Sequence, residues 1–159
     1  MNLTLQTLSS TIISEILCKT NFDGIVLDTE HGCFDNEKLY SCIQVITSMS
    51  KQCFVRVTDF NKRLIRMCLD AGVHGLIFST IENVNSAEEY PRHGGNRGMG
   101  LVRQNSWGDC VLDDHHPALI AQIETKRGVD NINKLKELGF DYFVLGPYDL
   151  SSDLGYPSE

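Results

Sequence analysis

The sequence predicts a wholly parallel α/β fold, on the strength of two observations. A joint that closes a helix and opens a strand recurs three times in one rhythm: Asn21-Phe22-Asp23-Gly24-Ile25, Gly72-Val73-His74-Gly75-Leu76 and Gly139-Phe140-Asp141-Tyr142-Phe143. Successive helix, tight turn and strand units produce that cadence. The strand-like runs, such as Tyr142 to Leu145 and Ala118 to Glu124, are also apolar at consecutive positions and finish in acids. A run apolar on both faces suits a buried parallel strand covered by helices, whereas an antiparallel strand with one wet face alternates.

In chain order, Leu3 to Leu8 reads as a first strand. Ile12 to Lys19 reads as a short helix capped by Ser10 or Thr11. Phe22 to Gly32 is a second strand ending in Asp28, Glu30 and His31. Asp35-Asn36 caps an amphipathic helix through Leu39, Ile43 and Ile46 to about Met49. Cys53 to Val57 is a third strand with Arg56 in its middle, and Asn61 to Ala71 is a helix stopped by Gly72. Gly75 to Thr80 is a fourth strand. Asn85 to Glu89 makes barely a turn and a half of helix, Pro91 to Gly100 is a glycine-rich loop, and Trp107 to His116 fits no element. Gly128 to Leu138, with apolar residues at spacings of three, is a helix between the last two strands.

A chain of 159 residues, 42% hydrophobic, suffices for one domain with a core and is short for two. The net charge of −7 argues against nucleic acid or an anionic membrane as the main partner. No apolar run approaches membrane-spanning length, and Met1 to Ser10 lacks the features of a signal peptide, so a cytoplasmic protein is expected. The six cysteines include no C-x-x-C pair and read as reduced fillers, not a disulfide or zinc framework.

Alternate residues of a strand share a face, so Asp28 goes with Glu30, and Gln122 with Glu124. In parallel barrels the C-terminal strand ends form the active-site mouth. Here that mouth would collect Glu30, His31, Glu124 and Asp149, with Arg56 lower in the wall, where it could instead simply neutralise Asp28 or Glu30. Glu124 and Asp149 end the two strands of one strand-helix-strand unit. Neighbouring strands lie about 4.8 Å apart, so the two carboxylates can reach one small ion. Two hard oxygen ligands with room for water or substrate suit Mg²⁺ or Mn²⁺. His31, beside acids at a pocket mouth, is the best candidate for moving protons. His74, His93, His115 and His116 fall in turns or loops, and Gly94 to Gly100 lacks the ending of a phosphate loop.

Taken together, Phe22-Asp23-Gly24 through Asp28-Thr29-Glu30-His31-Gly32, Val55-Arg56-Val57, Leu69-Asp70-Ala71-Gly72, Arg97-Gly98-Met99-Gly100, Ala121-Gln122-Ile123-Glu124-Thr125 and Gly146-Pro147-Tyr148-Asp149-Leu150-Ser151 resemble the HpcH/HpaI aldolases, relatives of the citrate lyase β subunit. The resemblance implies a (β/α)8 TIM-type barrel. Such a barrel runs to about 250 residues, so residues 1–159 would be a single, partial barrel domain with about six strands. It further implies that Glu124 and Asp149 bind one divalent cation, Mg²⁺ or Mn²⁺. Arg56 would stabilise an enolate oxygen, His31 oriented by Asp70 would move protons, Gln122 would line the site, and backbone N–H groups near Tyr148 and Asp149 would hold a carboxylate. The implied reaction is retro-aldol cleavage of a 4-hydroxy-2-keto or 2-keto-3-deoxy acid to pyruvate and an aldehyde, by a homo-oligomer. Two rivals are cleavage of an acyl-CoA, as in the citrate lyase relatives, and a catalytically inactive truncated homologue acting only in assembly.

Overall fold

The computed structural model describes residues 1–58, 61–81, 100–110 and 116–156. Six strands form one parallel sheet: β1 (Leu3–Gln6), β2 (Gly24–Asp28), β3 (Gln52–Val57), β4 (Gly75–Phe78), β5 (Ala118–Ile123) and β6 (Tyr142–Leu145). Each strand pairs with the next, in the order β1-β2-β3-β4-β5-β6. The helices are α1 (Thr11–Cys18), α2 (Asn36–Ser48), α3 (Lys62–Ala71), α4 (Lys126–Asp130), α5 (Ile132–Glu137) and α6 (Pro147–Asp153).

Residues from α1, α2, α3 and α5 all enter one core, against Ile25, Leu27, Cys53, Val55, Val57, Leu76, Phe78, Ala121 and Ile123 of the sheet. Those crossovers therefore all pass over the same face. Consecutive strand order with crossovers on one side is the winding of a sheet that curls on itself, here into a half-barrel. The opposite, concave face carries a second, smaller cluster of Val26, Phe54, Ile77 and Ile120, with Leu3 and Ala118 against it. Space for this plug comes partly from Gly75, where a Cβ would stand 2.9 Å from the Phe54 ring.

Local chemistry sets the element ends. Asp35 accepts from Lys38 N–H at 2.7 Å and Asn61 from Leu64 N–H at 3.1 Å, which starts α2 and α3. Gly72 ends α3 in the left-handed region at φ 87°. Buried Leu39, Cys42, Ile43 and Ile46 follow the three-and-four spacing that turns one side of α2 to the sheet. The three repeated joints share a bond: Asp23 accepts from Asn2 N–H at 2.6 Å, His74 Nδ1 from Cys53 N–H at 3.1 Å, and Asp141 from Leu119 N–H at 2.8 Å. Each side chain ties the start of its own strand to the start of the strand before it.

Several expectations change in detail. The first strand stops at Gln6, whose side chain turns to Ser14 of α1 at 2.9 Å. Ser10 precedes α1 without a side-chain cap bond. The helix expected over Gly128 to Leu138 is two short helices meeting at Asn131, which leaves the helical region with φ −97° and ψ 3°. Trp107 and Gly108, from the stretch expected on no element, close a kinked 3₁₀ segment, Arg103–Gly108, whose Arg103 donates to Ala71 O at 3.0 Å at the end of α3. The Tyr142 to Leu145 strand, expected to be buried, is mostly exposed because it forms an edge of the sheet among the described residues. The short helix at Asn85 to Glu89, most of the glycine-rich loop, His93 and His115 lie outside the described residues.

Candidate functional site

Above the apolar plug the concave face turns polar. Asp28 and Arg56 are register partners on β2 and β3, and Gln122 and Glu124 follow Ile120 on the same face of β5. All four lie toward the C-terminal strand ends.

Asp28 is fully buried and takes a two-pronged bond from Arg56, Nε to Oδ1 at 2.9 Å and Nη2 to Oδ2 at 2.7 Å. Backbone N–H groups of Glu30 and His31 add bonds to Oδ1 at 3.0 and 3.3 Å. Burial alone would push the Asp28 carboxyl up. The hydrogen-bonded guanidinium, its charge and the two N–H donors outweigh burial and hold it below the usual carboxylate range. The bond to Asp28 in turn raises Arg56 against the opposing effect of burial, helped by the charges of Asp28, Glu30 and Glu124. The guanidinium is thus charged and fixed. Its third nitrogen, Nη1, lies 3.1 Å from Glu30 Oε2, an ion pair misaligned for a hydrogen bond, so this buried oxygen has no hydrogen-bond partner. Arg56 does neutralise Asp28 and Glu30, and it does so on the concave face beside Glu124.

Glu124 stands one residue past β5 and is 3% exposed. Its Oε1 accepts from the Thr80 hydroxyl at 2.6 Å and from Thr80 N–H, and its Oε2 accepts from the Gln122 side-chain amide. Gly146, at the end of β6, faces it: a Cβ there would stand 2.8 Å from both Cβ and Oε2 of Glu124. Three residues later Asp149 occupies the first turn of α6, exposed, next to Tyr148, which is 79% exposed. Asp149 is therefore a helix-start residue just beyond a strand, at the same end of the sheet as Glu124. Asp153 binds Lys126 N–H at 2.7 Å and ties α6 to the start of α4.

His31 follows β2 at this end and is exposed. Asp70 is not brought to it. Helix α3 descends antiparallel to β3, so Asp70 in its last turn lies toward the end where β4 begins, opposite the mouth. It lines a surface cleft with Tyr40, Arg66 and Trp107 instead. The last turn of α3, with Asp70, therefore points away from the strand ends that His31 follows.

Residues 6–159 match the family model described as HpcH/HpaI aldolase/citrate lyase. The chain belongs to this family. Among curated relatives, the 2-keto-3-deoxy-L-rhamnonate aldolase of Shigella boydii serotype 4 is 31% identical over 165 residues, covering 94% of this chain and 61% of that protein. The protein of the same description from Klebsiella pneumoniae is 28% identical over 163 residues, covering 95% and 61%. The chain thus spans 61% of the length of these relatives. Among solved structures, an HpcH/HpaI aldolase/citrate lyase family protein from Burkholderia cenocepacia superposes with a TM-score of 0.85 at 27% identity, covering 99% of this chain and 68% of the other. The citrate synthase SbnG superposes equally well, TM-score 0.85 at 26% identity, covering 99% and 65%. A protein described as a citrate synthase thus shares this architecture.

The roles of two residues of the site lay beyond the sequence reading. Thr80 and Gly146 shape the surroundings of Glu124 from neighbouring strands on either side, and neither belongs to a pattern that periodicity or acid spacing selects. No group of three or more His, Cys, Asp or Glu that could hold a metal occurs among the described residues. Any cation here would rest on two carboxylates and take its other ligands from water or substrate, an arrangement usual for Mg²⁺.

Proposed function

We propose that this chain is the core of a class II, divalent-metal-dependent lyase that cleaves a 4-hydroxy-2-keto (2-keto-3-deoxy) acid to pyruvate and an aldehyde. The observation that carries the proposal is Glu124: a buried carboxylate at the strand rim, with Arg56 on the same face and the neighbouring strand end opened by a glycine. A buried acid held this way is costly unless used.

The donor set fits a hard cation. Glu124 and Asp149 offer carboxylate oxygens from adjacent strand ends, and Gly146 keeps the approach to Glu124 Oε2 clear. Mg²⁺ or Mn²⁺ bound there would supply Lewis acidity toward the keto oxygen of the substrate. Arg56, locked by Asp28, presents fixed positive charge toward the oxygen on which charge develops as the carbon–carbon bond breaks, with no reorganisation at that moment. His31 at the mouth takes the proton from the 4-hydroxyl in cleavage and returns one to the pyruvate methylene carbon. Gln122 lines the site while fixing Glu124, and the first-turn N–H groups at Tyr148 and Asp149 face the end where the substrate carboxylate would lie. The printed activities of the Shigella and Klebsiella relatives support a 2-keto-3-deoxy acid as the substrate class.

The proposal includes a single barrel domain and a homo-oligomer. Ile12 and Ile16, four apart on α1 and both exposed, supply an apolar strip suited to a second copy. Among the described residues no helix is long and apolar enough to cross a membrane.

The test is pyruvate release, coupled to lactate dehydrogenase, from a panel of 2-keto-3-deoxy acids with Mg²⁺, with Mn²⁺ and with EDTA. Pyruvate that appears with either metal and stops with EDTA is the expected result. Pyruvate release undiminished by EDTA, or no release from any member of the panel by the chain at its native oligomeric state, overturns the proposal.

A further inference from the structure

We infer that Thr80 is a positioning residue that selects which oxygen of Glu124 meets the metal. The inference rests on the proposed metal role of Glu124 and extends it to a residue on another strand. Four non-glycine residues with positive φ occur among the described residues, Ser50, Thr80, Ser106 and Trp107, and Thr80 is the β-branched one, at φ 50°. A β-branched side chain crowds its own backbone in this region, where glycine or asparagine sits with less strain. Such a conformation persists only where the surroundings over-determine it. Here the bent backbone lets one residue direct two donors, its N–H and its hydroxyl, at the same atom, Glu124 Oε1. Glycine would keep the first donor and lose the second.

A carboxylate oxygen has two lone-pair sites. Among the described residues, Thr80 fills both on Oε1, while Gln122 takes one on Oε2 and leaves one open. The open site is on the oxygen that faces Gly146, where the absent Cβ leaves room. Glu124 is thereby set to bind through Oε2 alone, with Oε1 committed to the wall. Supporting partners of this kind typically change metal affinity by about 10- to 100-fold when removed.

Mn²⁺ titration followed by the electron paramagnetic resonance of the free ion tests this without turnover, on the parent chain, Thr80→Val, Thr80→Ser, Thr80→Gly and Glu124→Gln. Thr80→Val should weaken Mn²⁺ binding about 10- to 100-fold, and Thr80→Ser, which keeps the hydroxyl, should bind like the parent. Thr80→Gly relieves the backbone and serves as the hydroxyl-free variant should the valine protein misfold; it should be weakened like Thr80→Val. Parent-like affinity in the folded hydroxyl-free variants, with binding lost in Glu124→Gln, overturns the role of Thr80 and leaves the metal site standing. Parent-like affinity in Glu124→Gln overturns both.

Discussion

Gly146 lies against Glu124 so closely that a single added carbon would stand 2.8 Å from the carboxylate Oε2. This contact joins the last two strands at the rim and needs no side chain from β6. Gly146→Ala should therefore push Glu124 or β6 aside. We expect Mn²⁺ affinity to fall at least about 10-fold and stability to drop by about 1–3 kcal/mol from overpacking, read by metal titration and by thermal melting. An alanine variant that melts and binds Mn²⁺ like the parent would show that the approach to Glu124 is not confined there.

Asp28→Asn leaves the Arg56 guanidinium without its carboxylate. Removing one partner of a buried pair costs about 3–5 kcal/mol, and the residual exposure of Arg56 puts this pair at about 3 kcal/mol at neutral pH. The folded Asp28 carboxyl is held below its unfolded value. Its contribution is therefore fully present above the unfolded pKa of about 3.9 and is lost as pH falls through the lower, folded value. Urea denaturation across pH should show the acid decline of the parent flattened in Asp28→Asn. Equal slopes below pH ~4 in both proteins would contradict the ionised pair.

Arg56→Lys keeps the charge and loses the fork. Nε and Nη2 both donate to Asp28 while Nη1 pairs with Glu30 by charge, and an ammonium cannot reproduce that fork. Turnover should fall about 100-fold or more with a smaller change in KM, measured by pyruvate release. A near-normal kcat would make Arg56 a structural neutraliser only.

The cysteines offer a simple check of the packing. Cys18, Cys42, Cys53 and Cys68 are buried, whereas Cys33 and Cys110 are exposed, all as free thiols. Burial pushes the Cys53 thiol well up and Cys68 to about 12. An aromatic disulfide reagent should titrate two thiols quickly in the native protein and all six in denaturant. Rapid reaction of four or more native thiols would contradict the core between the sheet and α1, α2 and α3.

The parallel sheet was legible because its signals are local. Asp23, His74 and Asp141 mark the joints in the sequence, and each proved to bond the strand before it. The alternation Gln122-x-Glu124 likewise placed two polar groups on one face. Thr80 was invisible because its role depends on a backbone torsion and on a partner 44 residues away, and neither leaves a periodic trace. The end of the sheet that receives Asp70 was not legible either. A sequence match carries no direction, whereas a helix returning antiparallel to its strand delivers its last turn to the far end of the sheet. The apolar run of β6 predicted burial that depends on neighbours outside the run itself.

Everything chemical proposed for this chain depends on Glu124 and Asp149 holding one divalent ion between adjacent strand ends. The most direct measurement is calorimetric Mn²⁺ titration of the parent, Glu124→Gln and Asp149→Asn, with circular dichroism to confirm the fold of each. The geometry predicts one Mn²⁺ per parent chain and its loss in both variants at unchanged secondary structure. Parent-like Mn²⁺ affinity in either folded variant would contradict it.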